Sequence, residues 1–303
     1  MTSLKIHLLG GTGFVGHSIA NLLVDRGHHV SVISRHPERH RDLLILPTLQ
    51  LVQGNVFDKA FLNHELAGAD VVINLVGILN EFRGQANFES VHTKLPAIVA
   101  GVCREQGVPR LLHMSALRAT KGGPSAYLRS KASGEDRAHQ VGGRALAVTS
   151  FRPSVIFGSG DSFTNQFALL VKWAPGVLPL ARATARFQPI YVEDVARAFV
   201  DSINDYRTYG KRYELCGPKI YSLKQIVNLV ARVINRRCYV MGLGPTLSTL
   251  QAMVGEMLPG KPISLDNIRS MQVDSICNGK FPEVFNFSLS RLEDILPRYL
   301  TSS

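Results

Sequence analysis

The chain has 303 residues, of which 45% are hydrophobic and 19% charged, with a formal net charge of +11. That length suits about two domains, and the composition excludes intrinsic disorder. No apolar run approaches the ~18 residues a membrane span needs, and no basic run interleaved with aromatics points to nucleic acid. The basic excess fits a solvated surface, cofactor phosphates, a protein partner or an anionic membrane surface. A first strand beginning by Leu4 leaves no room for a signal or transit peptide, so either the expected location is the cytoplasm or the periphery of the inner membrane, or a presequence has already been removed. Cys103, Cys216, Cys238 and Cys277 lie far apart without metal-type spacing. They are expected to be buried, reduced thiols, and no metal site is expected.

Leu4 to Leu9 is an apolar strand that runs into Gly10, Gly13 and Gly16 at every third position. A helical pattern follows over Phe14 to Arg26 and closes at Gly27. This order encodes a diphosphate site. One glycine makes the turn, one lets the backbone approach the phosphates, and one lets the helix sit close on the sheet. The helix start then offers free N–H groups and a positive dipole end. Gly10, Thr12, Gly13, Phe14, Val15 and Gly16 are the residues expected to hold the phosphates.

Further strands are expected at His29–Ser34, Gln50–Gln53, Asp70–Val76, Arg110–Ser115 and Ala145–Phe151, with a seventh at Arg212–Gly217. Helical patterns cover Phe88–Gln106 and Tyr127–Gln140. Strands alternating with helices imply an α/β fold, a Rossmann doubly wound parallel sheet. From about Tyr221 the pattern shifts to helices near Ser222–Arg236 and Thr246–Met257, broken at Pro245, Pro259 and Pro262. The expected division is a dinucleotide-binding domain over 1–205, with residues near 160–190 joining the other lobe, and a smaller C-terminal lobe over 206–303. Leu247, Leu250, Met253 and Met257 recur at helical spacing. A packed core face is the expected meaning, and a lipid-facing or quinone-facing stripe the alternative.

The end of the second strand decides the dinucleotide. NAD sites place an acid there, on the ribose 2′-hydroxyl. This strand ends Ser34-Arg35-His36, and the first acid is Glu38. Arg35 can fork onto a 2′-phosphate and Ser34 can donate to it, so NADP(H) is favoured over NAD(H). Asn55 and Val56 are expected along the adenine. Leu75, Val76 and Gly77 are expected on the ribose and nicotinamide side.

Ser115 ends the fifth strand, Tyr127 follows it, and Lys131 comes four residues later on one helix face. A free phenol titrates near ~10, and a neighbouring cation lowers that by roughly 1–3 pH units. Tyr127 could then exchange a proton with a carbonyl or hydroxyl while nicotinamide exchanges hydride. Ser115 would hold the same oxygen, and Lys131 would also bond the nicotinamide ribose.

Together these residues resemble the short-chain dehydrogenase/reductase superfamily, over nearly the whole chain. Arg152-Pro153-Ser154-Val155-Ile156-Phe157-Gly158 looks like the segment that closes over nicotinamide in its extended, epimerase-like members, which implies Pro153 and Val155 at the cofactor. Gln188 to Ala196 looks like their structural motif leading into a late helix. An atypical branch is closer still, the one with the NAD(P)H-binding accessory subunit of respiratory complex I and its bacterial relatives. Val91-His92, His113 to Leu117, Tyr127 to Ala132 running to Gly134-Glu135, and Leu258 to Pro262 with Asp266 and Asp274 carry that resemblance. Two departures stand out. The Ser–Tyr spacing is shorter than in nucleotide-sugar epimerases, and His92 replaces an Asn that supports a proton relay. His92 is expected to be a satisfied histidine rather than a relay.

The function expected is an NADP(H)-binding atypical short-chain dehydrogenase, an oxidoreductase on an unidentified carbonyl, hydroxyl or quinone-like group. The alternatives are a non-catalytic NADPH-binding accessory protein, as the complex I resemblance implies, and a sugar-nucleotide epimerase or dehydratase. The last needs a basic cluster for a second pyrophosphate, for which Arg182 and Arg186 are the candidates, with surface placement the simpler reading.

Overall fold

The computed structural model describes residues 2–81, 87–257 and 263–300, with the side chain of Met257 excepted. Its strands in chain order are β1 (Lys5–Leu9), β2 (His29–Ser34), β3 (Leu49–Gln53), β4 (Val71–Asn74), β5 (Arg110–Met114) and β6 (Ala147–Pro153). Shorter ones follow: β7 (Ile156–Phe157), β8 (Val177–Leu180), β9 (Arg186–Phe187), β10 (Ile190–Tyr191), β11 (Arg212–Leu215), β12 (Tyr221–Ser222) and β13 (Tyr239–Gly242). Seven form one parallel sheet in the order β11-β6-β5-β4-β1-β2-β3. The order reverses between β1 and β4, and a ligand crevice opens at such a point, beyond the carboxyl ends of the strands. This is the doubly wound fold that the strand–helix alternation implies.

The helices are α1 (Phe14–Asp25), α2 (Lys59–Glu65), α3 (Leu95–Glu105), α4 (Ala126–Gly142), α5 (Ser162–Trp173), α6 (Val192–Asp201), α7 (Leu223–Val233), α8 (Pro245–Met257), α9 (Leu265–Ser270) and α10 (Leu292–Leu300). Two layers cover the large sheet. On one side Ile19 and Leu23 of α1 meet Val195 and Phe199 of α6 in one buried cluster. On the other, Leu95 and Val99 of α3 pack with Ala138 of α4 and Val72 and Leu111 of the sheet. A separate core joins α5, α7 and α10 with β8 and β13 through Val171, Leu178, Ile226, Val240 and Leu296. No helix among the described residues is long and apolar enough to cross a membrane.

The helix expected over Phe88–Gln106 is not uniform. Glu89–Lys94 form π-helical turns before α3 begins. Pro96 has no N–H for the carbonyl of His92, so a regular α-helical bond cannot form there and the coil widens.

Two expectations are corrected. Cys216 and Cys277 are bonded to each other, across 61 residues of sequence. Distance along the chain hid the pairing, because the C-terminal segment returns to the end of β11. Cys103 and Cys238 are free. Closing a loop of that length stabilises by about 2–4 kcal/mol. A Cys216→Ser/Cys277→Ser variant should therefore melt several degrees lower, read by circular dichroism. An unchanged melting temperature would mean that the two sulfurs are not joined in solution.

The α8 stripe is the second correction. Leu247 and Leu250 are each 55% exposed, and Met253 49%. The Met257 side chain and Leu258–Pro262 lie outside the described residues. The inner side of α8 carries Ser248, Ala252 and Gly255, and Ala252 packs with Ala181 and Ile268. A Cβ on Gly255 would come 2.4 Å from Ile263 Cγ2. Only small residues fit that contact, so the large ones face outward.

Candidate active site

The glycine turn lies at the end of β1. Gly10 adopts φ +79°, and a Cβ there would press on the Leu75–Val76 backbone at 3.1–3.2 Å. Gly16 lies so close to Gly11 that a Cβ would fall 2.5 Å from its Cα. Packing therefore demands both. Gly13 differs, since a Cβ there would meet nothing closer than Gly10 O at 3.4 Å. The protein leaves that space open, which is what a diphosphate requires. Gly13 is the N-cap of α1 and no side chain caps the helix, so its leading N–H groups are left for an anion. Thr12, Phe14 and Val15 are half-buried around this turn. The residues present fit a dinucleotide.

At the end of β2, Ser34 is buried and its Oγ accepts from His36 N at 3.2 Å. Arg35 is exposed and makes no ion pair among the described residues. Glu38 is occupied by His36, 3.3 Å away, and by Arg39. Asn55 makes a turn by accepting from Phe57 N at 3.1 Å, and Val56 packs on the core beside it. After β4, Leu75 and Val76 are half-buried and Gly77 is exposed. Asn74 organises this loop. Its Oδ1 accepts from Val76 N at 3.1 Å, and its amide lies 3.4 Å from His113 Nδ1. Asn74 was not foreseen, although a polar residue ending an apolar strand was a readable signal. Pro153 is buried at the end of β6, bonded through its carbonyl to Leu117 N, and Val155 borders the second core.

Tyr127, Lys131 and Glu135 form one stripe along α4, as spacing by four requires. The helix starts sharply. Ser125 Oγ accepts from Leu128 N at 3.1 Å. The Asp266 carboxylate, from α9, accepts from Ala126 N at 2.8 Å and Tyr127 N at 3.0 Å. A negative charge at a helix start is favourable, so α9 locks the turn that carries Tyr127. Lys131 is buried and donates to Met114 O at 3.0 Å. A Cβ on Gly77 would stand 3.2 Å from Lys131 Nζ, so this glycine opens the β4 loop onto the lysine. Burial pulls the Lys131 ammonium down to about 8. Glu135 is fully buried between two guanidiniums, with Arg152 Nε 2.8 Å from Oε2. Burial alone would raise its pKa, but the bonds and charges of Arg152 and Arg212 hold the carboxyl below its usual range.

His92 is satisfied at both nitrogens, as expected. Nε2 accepts from Ile78 N at 3.0 Å, so Nδ1 carries the proton and donates to Ser130 Oγ at 3.0 Å. Ser130 Oγ in turn donates to the backbone carbonyl of Tyr127 at 2.9 Å. Burial, with Lys131 nearby, pushes His92 down to about 2, so it stays neutral. Its ring meets Tyr127 edge-on at 5.4 Å and stacks on Phe88. Gly134 permits this arrangement, because a Cβ there would fall 1.6 Å from His92 O.

One catalytic expectation is corrected. Burial, not Lys131, dominates the Tyr127 phenol and pushes it up to about 12. Ser115 Oγ is buried, lies near Glu135 and has no hydrogen-bond partner among the described residues. The fold thus joins Tyr127, Lys131, His92 and Gly77. Of the basic residues considered for a second pyrophosphate, Arg186 is neutralised by Asp274 at 2.8 Å. No group of His, Cys, Asp or Glu among the described residues could hold a metal ion.

A seven-stranded doubly wound sheet, a glycine turn with an uncapped helix start, and a Tyr–Lys pair on α4 define a Rossmann NAD(P)-binding protein of the short-chain dehydrogenase type. The chain belongs to the NAD dependent epimerase/dehydratase family, whose model matches residues 6–216. It is 33% identical over 235 residues to the mouse (Mus musculus) NADH dehydrogenase [ubiquinone] 1 alpha subcomplex subunit 9, mitochondrial, covering 76% of this chain and 61% of that one. The chain therefore spans less than two thirds of that relative's length. It is 25% identical over 176 residues to a 2-alkyl-3-oxoalkanoate reductase of Stenotrophomonas maltophilia, about half of each chain. A nucleoside-diphosphate-sugar epimerase from Staphylococcus aureus superposes with a TM-score of 0.76 at 16% identity, covering 97% of this chain and 100% of that one, a likeness of fold alone.

Proposed function

We propose that this protein binds NADP(H) in preference to NAD(H) and is an oxidoreductase on a carbonyl, hydroxyl or quinone-like group. The carrying observation is the α4 stripe, which sets Tyr127 and Lys131 on one face with the β4 loop held open onto Lys131 by Gly77. Bound at the glycine turn, the nicotinamide would supply or accept the hydride. Gly10, Gly13 and the first turn of α1 would hold the diphosphate, and Asn55 and Val56 the adenine side. Lys131 would donate to the nicotinamide ribose, with Leu75, Val76, Gly77, Pro153 and Val155 around it. Tyr127 would carry the proton to or from the substrate oxygen. Ser115, whose buried hydroxyl has no hydrogen-bond partner among the described residues, would hold the same oxygen.

Arg35 supports the NADP preference. It is a free guanidinium at the strand end, and no carboxylate there would repel a 2′-phosphate. Charge-assisted bonds of this kind contribute about 1.5–3 kcal/mol. Arg35→Asp should weaken NADPH binding at least about tenfold and NADH binding far less, read by fluorescence titration. Equal loss of both would remove the preference.

A second reading, a non-catalytic NADPH-binding accessory protein with a protein partner, is favoured by two observations. α9 is locked over the helix turn that carries Tyr127. The mouse relative is by name a subunit of a larger assembly. Single-turnover mixing of NADPH with aldehyde, ketone and quinone panels separates the two readings. Oxidation of NADPH supports the enzyme, and its absence across the panel supports the accessory protein. The sugar-nucleotide reading loses support from the short Ser–Tyr spacing and from the pairing of Arg186 with Asp274.

A further inference from the structure

The large exposed apolar side chains are not scattered. Strand β13 pairs with β8 so that Tyr239 stands beside Val177 and Met241 beside Pro179. All four face outward, while Leu178, Leu180 and Val240 fill the core beneath. Trp173, at the end of α5 and four residues before Val177, is 81% exposed. On the other flank, Gln251 ties α8 to β8 by donating to Pro179 O at 2.9 Å and accepting from Ala181 N. This seats the outward stripe of Leu247, Leu250, Met253 and Val254 next to the small sheet. A monomer rarely exposes so much contiguous apolar surface unless something covers it.

The charge around this face is one-sided. Residues 162–192 and 215–255, which build it, contain no Asp or Glu, and carry three and five cations respectively. Most of the chain's formal excess of +11 therefore sits here. Arg186 and Lys219 are paired. Arg232, Arg236 and Arg237 are exposed and make no ion pair among the described residues. They line a basin of about 830 Å³ that also includes Gly176 and Tyr239, so the cations adjoin the apolar platform. Lys224 stands 5.4 Å over the Tyr239 ring.

We propose that this α5–β8–β13–α8 face docks on an anionic phospholipid bilayer. The apolar platform enters the headgroup region, Trp173 and Tyr239 sit at the water boundary, and the three free arginines meet lipid phosphates. Interfacial binding needs this pairing of apolar area with cations, and Trp and Tyr favour that depth. The docking is independent of whether the α4 site turns over. It also gives the α8 stripe an occupant, which packing among the described residues does not supply.

Trp173 is the chain's only tryptophan, so the native protein reports on its own docking. Mixed phosphatidylcholine/phosphatidylglycerol vesicles should sediment the full chain. They should also shift Trp173 emission to the blue and let brominated acyl chains quench it. Pure phosphatidylcholine should do neither. Replacing Arg232, Arg236 and Arg237 by Gln should weaken binding about a hundredfold, at about fivefold per cation near a charged surface. Leu250→Ser/Met253→Ser, which keeps every charge, should abolish the quenching while the melting temperature is unchanged. The proposal falls if vesicles bind but Trp173 stays in water, or if both variants bind as the native chain does. It falls equally if Trp173 is shielded in a concentration-dependent manner without lipid, which would make the face an interface with a protein or with a second copy.

Discussion

Replacing Tyr127 by Phe should cut hydride exchange by about a thousandfold or more while changing dinucleotide affinity less than about threefold. A positioned proton donor contributes on the order of 10²–10⁴ in rate, and Phe cannot supply the proton. The ring itself stays, edge-on to His92 and Phe88, so the pocket wall is preserved. Stopped-flow absorbance of NADPH and fluorescence titration read the two quantities separately. Full exchange by the variant would remove Tyr127 from the chemistry, and lost binding with exchange intact would make the hydroxyl a cofactor ligand. The pH dependence follows from burial. A phenol pushed up to about 12 keeps its proton across the working range, with about one molecule in ten thousand ionised at pH 8. Carbonyl reduction uses the protonated form and should stay flat as pH rises from 6 to 9. Alcohol oxidation uses the phenolate and should climb about tenfold per pH unit without a plateau below pH 10. A plateau starting near pH 7 would show that Lys131 draws the phenol down in the loaded site after all.

Gly134→Ala should cost about 3 kcal/mol or more, or prevent folding. The added Cβ would fall 1.6 Å from the carbonyl oxygen of His92. That oxygen belongs to backbone, and both elements are pinned, α4 by Ser125 and Asp266 and the π-turn by Pro96. Overpacking against side chains costs about 1–3 kcal/mol, and backbone cannot give way as a side chain does. Urea titration gives the change directly. Gly101→Ala, on α3 with its nearest neighbour 3.8 Å away, should be nearly neutral and serves as the control. Equal stability of the two variants would mean that α4 and the π-turn slide apart readily, and His92 would then lose its assigned place beside Tyr127.

The parallel sheet could be read because buried parallel strands are short apolar runs between helical patterns, and that information is local. The glycine turn was readable for the same reason, since Gly10 and Gly16 answer to backbone angle and close approach within a few residues. Tyr127 and Lys131 share a helix face because helical geometry requires it. Asp266 could not be assigned a role this way, for it caps α4 from 140 residues away. Glu135 lies one further turn along the Tyr–Lys stripe, yet its burial depends on Arg152 and Arg212 arriving from β6 and β11.

Short-range order in the chain was enough for the architecture, the phosphate turn and the Tyr–Lys face, because each is set by backbone geometry over a handful of neighbours. Packing of distant segments settled the rest. It joined Cys216 to Cys277, held the Tyr127 phenol protonated by burying it, and pointed the apolar stripe of α8 outward. Helical spacing shows that one side of α8 is apolar. Which side meets the protein was decided by the room left beside Ala181 and Ile263, and only Ser248, Ala252 and Gly255 are small enough to fill it.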